Sequence, residues 1–192
     1  MSCPPWPRSL YGSLLGTAWL DLHPSVRHFH QGGTTVEGTG RFRICRGNTV
    51  LARLLAGLFR LPAAAASCPT RLVILPDADG ETWLRTFGEH RLVSRQRAFS
   101  GTLMAERFGL LELRFRLHVV EGGIVYQQVG VALFLGLCRV RVPRWMAPHV
   151  MAREMPAADD SPETSVRVQV RVPVAGDLLS YAGSMACEDA SR

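Results

Sequence analysis

Leu111-Glu112-Leu113-Arg114-Phe115-Arg116-Leu117-His118-Val119, with the turn Glu121-Gly122-Gly123 after it, decides the fold of the chain. Leu111, Leu113, Phe115, Leu117 and Val119 take every second position, and Glu112, Arg114, Arg116 and His118 fill the gaps. That is the period of a strand with one face buried and one face wet. The glycine turn sends the chain straight back through residues 124–134, which makes a hairpin. Upstream, residues 71–75, 82–87, 92–99 and 103–108 also read as strands. Pro76-Asp77-Ala78-Asp79-Gly80 joins the first two of these and Gly88-Glu89-His90 the next two. Downstream, Val140 and Val142 flank Arg141, residues 145–153 read as a helical turn, and Asp159-Asp160-Ser161-Pro162-Glu163 reads as an acidic loop. Val166, Val168, Val170, Val172 and Val174 then alternate with Arg167, Gln169 and Arg171, before a closing segment at residues 178–181. About nine or ten strands joined by tight turns must pair antiparallel, because parallel neighbours need long crossovers.

Residues 8–22 carry apolar side chains at helical spacing, and Pro24 opens a short helical turn over residues 24–29. Residues 36–44 alternate as the first strand. Asn48 offers an N-cap to a helix in which Val50, Leu51, Leu54, Leu55, Leu58 and Phe59 face one way and Arg53 and Arg60 the other, and Pro62 stops it. The expected fold class is therefore α+β: a strongly curved antiparallel sheet, cup-like or barrel-like, with the N-terminal helices packed on its concave face or at one end. One domain spans residues 8–185, with a loose leader at 1–7 and a disordered tail at 186–192.

Composition agrees with a single globular unit. The chain has 192 residues, 47% of them hydrophobic and 20% charged, with a formal charge of +6. Lysine does not occur, so all 22 basic residues are arginine. Five cysteines without a C-x-x-C pair argue against a disulfide framework or a zinc site and point to a reducing, cytoplasmic setting. The apolar stretch at residues 10–20 is interrupted by Gly12, Ser13, Gly16 and Thr17 and reads as a domain helix, not a secretory signal. The run from 129 to 138 is too short to span a membrane as a helix.

Motifs of familiar chemistry fail on spacing. His23, His28 and His30 do not share a helix face and have no nearby carboxylate to complete a metal site. Asp77-Ala78-Asp79-Gly80-Glu81 lacks the later ligands of a calcium loop. Gly38-Thr39-Gly40 has Arg43 where a dinucleotide fingerprint needs glycine. No nucleophile and base lie together in sequence, so no catalytic residue, metal or cofactor is assigned. Most arginines fall on the wet phase of strands, where their stems cover apolar surface. Those positions lack interleaved aromatics, which argues against nucleic acid. Arg85 differs, since it shares a strand face with Trp83 and Phe87. A guanidinium between aromatic rings is either a paired structural arginine or a ligand contact.

Leu10-Tyr11 and Leu15-Gly16, residues 22–30 with Leu22-His23-Pro24-Ser25-Val26-Arg27, residues 51–62, Trp83-x-Arg85-x-Phe87-Gly88, Glu106-Arg107-Phe108-Gly109, residues 143–148 and residues 173–183 together resemble a bacterial family catalogued as domain of unknown function 4166. The resemblance implies a stand-alone bacterial protein or a module joined to a saccharopine-dehydrogenase-like NAD(P)-binding domain, and these residues contain no such domain. The family's Tyr-x-Gly-Trp-Leu ending meets Tyr181-Ala182-Gly183-Ser184-Met185 here, which lacks the tryptophan and implies an altered pocket if that aromatic lines one.

The functional expectation is a cavity for a hydrophobic or lipid-like small molecule, lined by Trp83, Arg85 and Phe87 and joined by His30, Arg107 and Tyr181. The alternatives are an enzyme or accessory domain working with an NAD(P)-dependent reductase partner, and an interaction module with a filled core.

Overall fold

The structure, a computed structural model, describes residues 9–136 and 138–188. Helix α1 (Leu10–Leu15), a 3-10 segment (Gly16–Asp21) and α2 (Pro24–Phe29) precede strand β1 (Val36–Arg46) and helix α3 (Val50–Leu58). Strands β2 (Ala65–Asp77), β3 (Gly80–Phe87), β4 (His90–Ser100), β5 (Leu103–Phe108) and β6 (Leu111–Val120) follow, each turning directly into the next. Then come β7 (Gly123–Leu135), β8 (Cys138–Arg141), β9 (His149–Pro156), β10 (Glu163–Val172) and β11 (Gly176–Glu188).

All neighbours pair antiparallel in the order β6-β5-β4-β3-β2-β1-β11-β10-β9-β7-β8, and β6 also pairs with β7. Among the described residues ten of the eleven strands therefore close into a barrel, and β8 stands on the distal part of β7. Strand β7 performs both tasks because it is long. Its residues from Ile124 to Gln127 pair with β9, while Ala132 to Leu135 pair with β8. Between the two stretches Val129 is an extra residue of β7 opposite the Arg114–Phe115 step of β6, the local bend a β-bulge supplies. The expected curved sheet is present, and closure leaves no unpaired edge in the ring.

The N-terminal helices plug one end of the barrel. Helix α1 packs on β4 and β6, and α2 packs on β1, β9, β10 and β11. Gly38 permits this: a Cβ there would lie 2.5 Å from Phe29 Cε1, so any larger residue would push α2 off the wall. The backbone N–H of His23 donates to the Gly122 carbonyl at 2.8 Å, tying the plug to the β6–β7 turn. At the opposite end α3 rests on β11 and β1. Thr49 Oγ1 accepts from the Ala52 N–H at 3.1 Å and donates to the Ala175 carbonyl at 2.8 Å, while Ala52 and Ala56 bury against Ala175 and Leu178.

Several boundaries differ from expectation for local reasons. The helix expected over 8–22 stops at Leu15, because Gly16 adopts φ 56°, and the chain continues as the 3-10 segment. Thr49, not Asn48, caps α3. The expected turn at 145–153 shrinks to a bend, in which the Pro143 carbonyl accepts from the N–H groups of Met146 and Ala147, and β9 follows. The closing segment is a strand of 13 residues, and within the expected tail Ala186, Cys187 and Glu188 pair with Thr39, Gly38 and Glu37. Here β1 imposes strand geometry on residues that show no alternation of their own. The expected leader at 1–7 and tail residues 189–192 lie outside the described residues.

Candidate functional site: the barrel cavity

Alternation aims one phase of every strand inward, yet the inward side chains do not fill the barrel. A cavity of about 910 Å³ remains. Its walls carry Leu72, Phe87, Leu113, Phe115, Val166, Val168 and Leu179, and its open end is bordered by Leu58 of α3 and Phe59 just after it, Leu110 from the β5–β6 turn, and Leu135 and Met146. Polar groups gather toward the plugged end, where Gln96, Tyr126, Glu154 and Thr164 line it, with Arg85 and Glu106 next along the wall.

These polar groups form two connected sets. In the first, Tyr11 of α1 donates to Gln96 Oε1 at 2.7 Å and lies 3.0 Å from the Tyr126 hydroxyl. Tyr126 donates to Glu154 Oε1 at 2.7 Å, and His30 Nε2 reaches Glu154 Oε2 at 2.7 Å. Burial alone would push the Glu154 carboxyl up, but the charge and hydrogen bond of His30, and then the Tyr126 hydroxyl, outweigh it and leave the group below its usual range. Burial and the Glu154 charge raise both Tyr11 and Tyr126 well above the ordinary phenol value. In the second set Arg85 donates to Ser94 Oγ at 2.7 Å and Glu106 Oε1 at 3.0 Å, and Ser94 donates to the same carboxylate oxygen at 2.7 Å. Burial opposes the Arg85 charge, yet Glu106 beside it more than compensates and raises its pKa. The guanidinium also sits 4.7 Å over the Trp83 ring. Burial raises Tyr181 to about 12. One buried polar atom on the cavity side has no partner within the described residues, Thr164 Oγ1.

Four of the residues singled out from sequence come together on the cavity wall: Trp83, Arg85, Phe87 and Tyr181. Phe87 and Tyr181 have ring centroids 5.2 Å apart, so β3 and β11 meet across the interior. His30 lies behind the floor, fully buried, with its ring 3.8 Å from that of Tyr11 and 5.7 Å from that of Trp83. Arg107 does not join them. Glu106 takes the inward phase of β5, which turns Arg107 outward to donate to the Gly109 carbonyl at 2.8 Å and to cover Phe134 at 4.3 Å. Arg85 is thus both the paired arginine and a cavity-facing group. Sequence reading passed over Glu106, Gln96, Tyr126, Glu154 and Thr164. A signal existed for Glu106, which is in phase with Met104 and Phe108, so a carboxylate stood on the apolar phase of a strand.

A closed antiparallel barrel, capped by short helices at one end and enclosing an apolar cavity with a polar floor, places the molecule among the cavity-bearing β-barrels. The chain belongs to the family described as Domain of unknown function (DUF4166), which it matches over residues 22–185. No curated protein and no solved structure matches the chain. Among the described residues no helix is long and apolar enough to cross a membrane.

Proposed function

We propose that the protein binds one elongated, electrically neutral amphiphile inside the barrel, with its polar end on the floor and its apolar body toward the open end. The observation that carries this reading is the cavity itself: about 910 Å³ of mostly apolar space, with Gln96, Tyr126, Glu154 and Thr164 converging at the plugged end. Cavities of several hundred Å³ with a few convergent polar groups are the usual form of a small-molecule site. The floor chemistry selects a hydroxyl, carbonyl or amide over a carboxylate or phosphate. Glu106 already neutralises Arg85, Glu154 is an ionised acceptor, and Thr164 Oγ1 is left to accept from or donate to a neutral group. Binding is favoured over catalysis by the charge states of four of these groups, while the Glu81 carboxyl, which burial raises, is taken up by the Trp83 indole N–H at 3.1 Å and does not line the cavity. Glu154 is held ionised and Tyr11, Tyr126 and Tyr181 are held protonated, so none of these is poised to pass a proton near neutral pH.

Two measurements test the proposal. Solvent extraction of purified protein, followed by mass spectrometry, is expected to yield a neutral amphiphile at about one per chain. Val168→Trp, which puts an indole into the cavity, is expected to abolish both the retained molecule and Nile red binding while the circular dichroism stays that of a β protein. Absence of any retained molecule, together with no competition for Nile red from long-chain alcohols, amides or esters, sinks the reading.

A further inference from the structure

The open end of the barrel is unlike the rest of the surface. Helix α3 buries Ala52 and Ala56, and turns Val50, Leu54 and Leu58 outward as a stripe at i, i+4 and i+8, exposed by 73%, 66% and 74%. Across the opening stand Leu110, Leu135 and Met146, each more than half exposed, and beside them Trp145 at 75%. Single exposed apolar residues are ordinary, but a ring of them around the entrance to an apolar cavity marks an interaction surface.

Charge divides along the same axis. Turns and loops at the plugged end carry the exposed acids Asp79, Glu121, Asp159 and Asp160. At the open end Arg53, Arg60 and Arg144 are exposed, and among the described residues no carboxylate pairs with any of them. Glu89 lies in the β3–β4 turn at this end, and Asp177 is taken up by Arg171 at 3.1 Å. Arg60 adds a conformational observation. It occupies φ 47° just past α3, the left-handed position where glycine is the comfortable residue. An arginine kept there at the lip of the cavity is a local cost without a local partner, the pattern that points to use elsewhere.

We infer that this end docks on an anionic bilayer, the aliphatic stripe of α3 and the rim residues entering the interface and the arginines meeting lipid phosphates. An amphipathic face with arginine beside it binds such surfaces by apolar burial together with electrostatic attraction. Docking brings the cavity entrance to the lipid phase, from which a sparingly soluble molecule can enter without crossing water. The identity of what enters rests on the proposed function; the docking itself does not.

The test is flotation of the full chain with vesicles of phosphatidylcholine, with and without phosphatidylglycerol, read alongside Trp145 emission. Trp19 and Trp83 are buried and Trp6 is common to both proteins, so a blue shift that disappears in Trp145→Phe reports insertion of the rim. The expected result is binding to phosphatidylglycerol vesicles that weakens with salt. Arg60→Gly is expected to bind about fivefold more weakly, the equivalent of about 1 kcal/mol for one arginine at an anionic surface. Its melting temperature should be unchanged or higher, because the strained φ is relieved. Leu54→Asp, at an exposed position off the cavity wall, is expected to weaken vesicle binding by roughly tenfold or more while Nile red binding is retained. Vesicle binding with no cavity ligand would overturn the proposed function and leave docking standing. Failure of the folded protein to bind phosphatidylglycerol vesicles, or equal binding by Leu54→Asp, overturns docking. A dimer in sedimentation equilibrium that Leu54→Asp dissociates, without vesicle binding, would assign the surface to a second copy of the chain and likewise overturn it.

Discussion

Arg85 keeps its charge inside the barrel because Glu106 and Ser94 are placed to meet it. Both partners come from neighbouring strands, Ser94 on β4 and Glu106 on β5, so the ion pair also reports correct registration of three strands. Glu106→Leu would leave the guanidinium uncompensated in an apolar wall and is expected to cost about 3–5 kcal/mol, measured by urea unfolding. Arg85→Met combined with Glu106→Leu is expected to recover most of that loss, since a buried pair replaced as a unit is often neutral. A double variant as unstable as the single one would show that Arg85 contributes mainly through packing on Trp83. Gly38 makes the complementary point about space. Gly38→Val would drive Phe29 and α2 from the wall, with an expected loss of about 1–3 kcal/mol and increased binding of hydrophobic dyes at the plugged end. The aromatic neighbours of Arg85 were legible in Trp83-x-Arg85-x-Phe87, because strand period alone places them on one face. The pairing with Glu106 was not, because no local rule relates residues separated by two turns of sheet.

At the scale of elements, the ends of the barrel are built differently. The plug is made of two helices of six residues each, too short to be stable alone, and they persist because Tyr11, Val26 and Phe29 are buried in the barrel interior. Helix α3 instead hangs from a cap and two alanines. Thr49→Ala removes both the bond from the Ala52 N–H and the bond to the Ala175 carbonyl, and is expected to cost about 1 kcal/mol or somewhat more. Hydrogen exchange should show the change confined to α3 and the β10–β11 turn, since those are the parts the hydroxyl joins. Exchange that rises evenly around the barrel would contradict this separation. The alternating pattern of Leu111 to Val119 identified β6 correctly, and the apolar face of α3 was equally plain. The expectation was of helices packed on the concave face or at one end of the sheet, and α3 lies at one end. There the small residues Ala52 and Ala56 meet the barrel, because close approach of a short helix to β11 needs small side chains, and this leaves the leucines outside.

For the whole molecule, stability toward acid follows from carboxylates buried with arginine and histidine. On the outer wall Glu112 is met by Arg97, Arg114 and Arg139, and all three guanidinium groups also lie over Phe99. Burial pushes the Glu112 carboxyl up, but hydrogen bonds from Arg139 and Arg114 and their neighbour Arg97 bring it below its ordinary value, as His30 and Tyr126 do for Glu154. Groups depressed in the folded state contribute stability that is complete above the unfolded carboxylate value, about 4.3, and is lost as pH falls through the folded value. Thermal unfolding is therefore expected to fall steeply below about pH 4, where the two depressed carboxylates act against the one, Glu81, that burial raises. Glu112→Gln should lower the neutral melting temperature and make the acid limb shallower; an unchanged limb would place the sensitivity elsewhere. By itself the sequence determined most of the strands, with β9 and the length of β11 the exceptions, together with their antiparallel pairing and the inward phase that carries Trp83, Arg85 and Phe87, because alternation and turn chemistry act between near neighbours. Only the tertiary structure decided that β7 reaches both β6 and β9 to close the ring, that the interior stays partly empty, and that Glu154, Tyr126 and Tyr11 meet on its floor. Closure and cavity volume depend on how far each strand tilts and bends around a common axis, and no residue carries that information in its immediate neighbours.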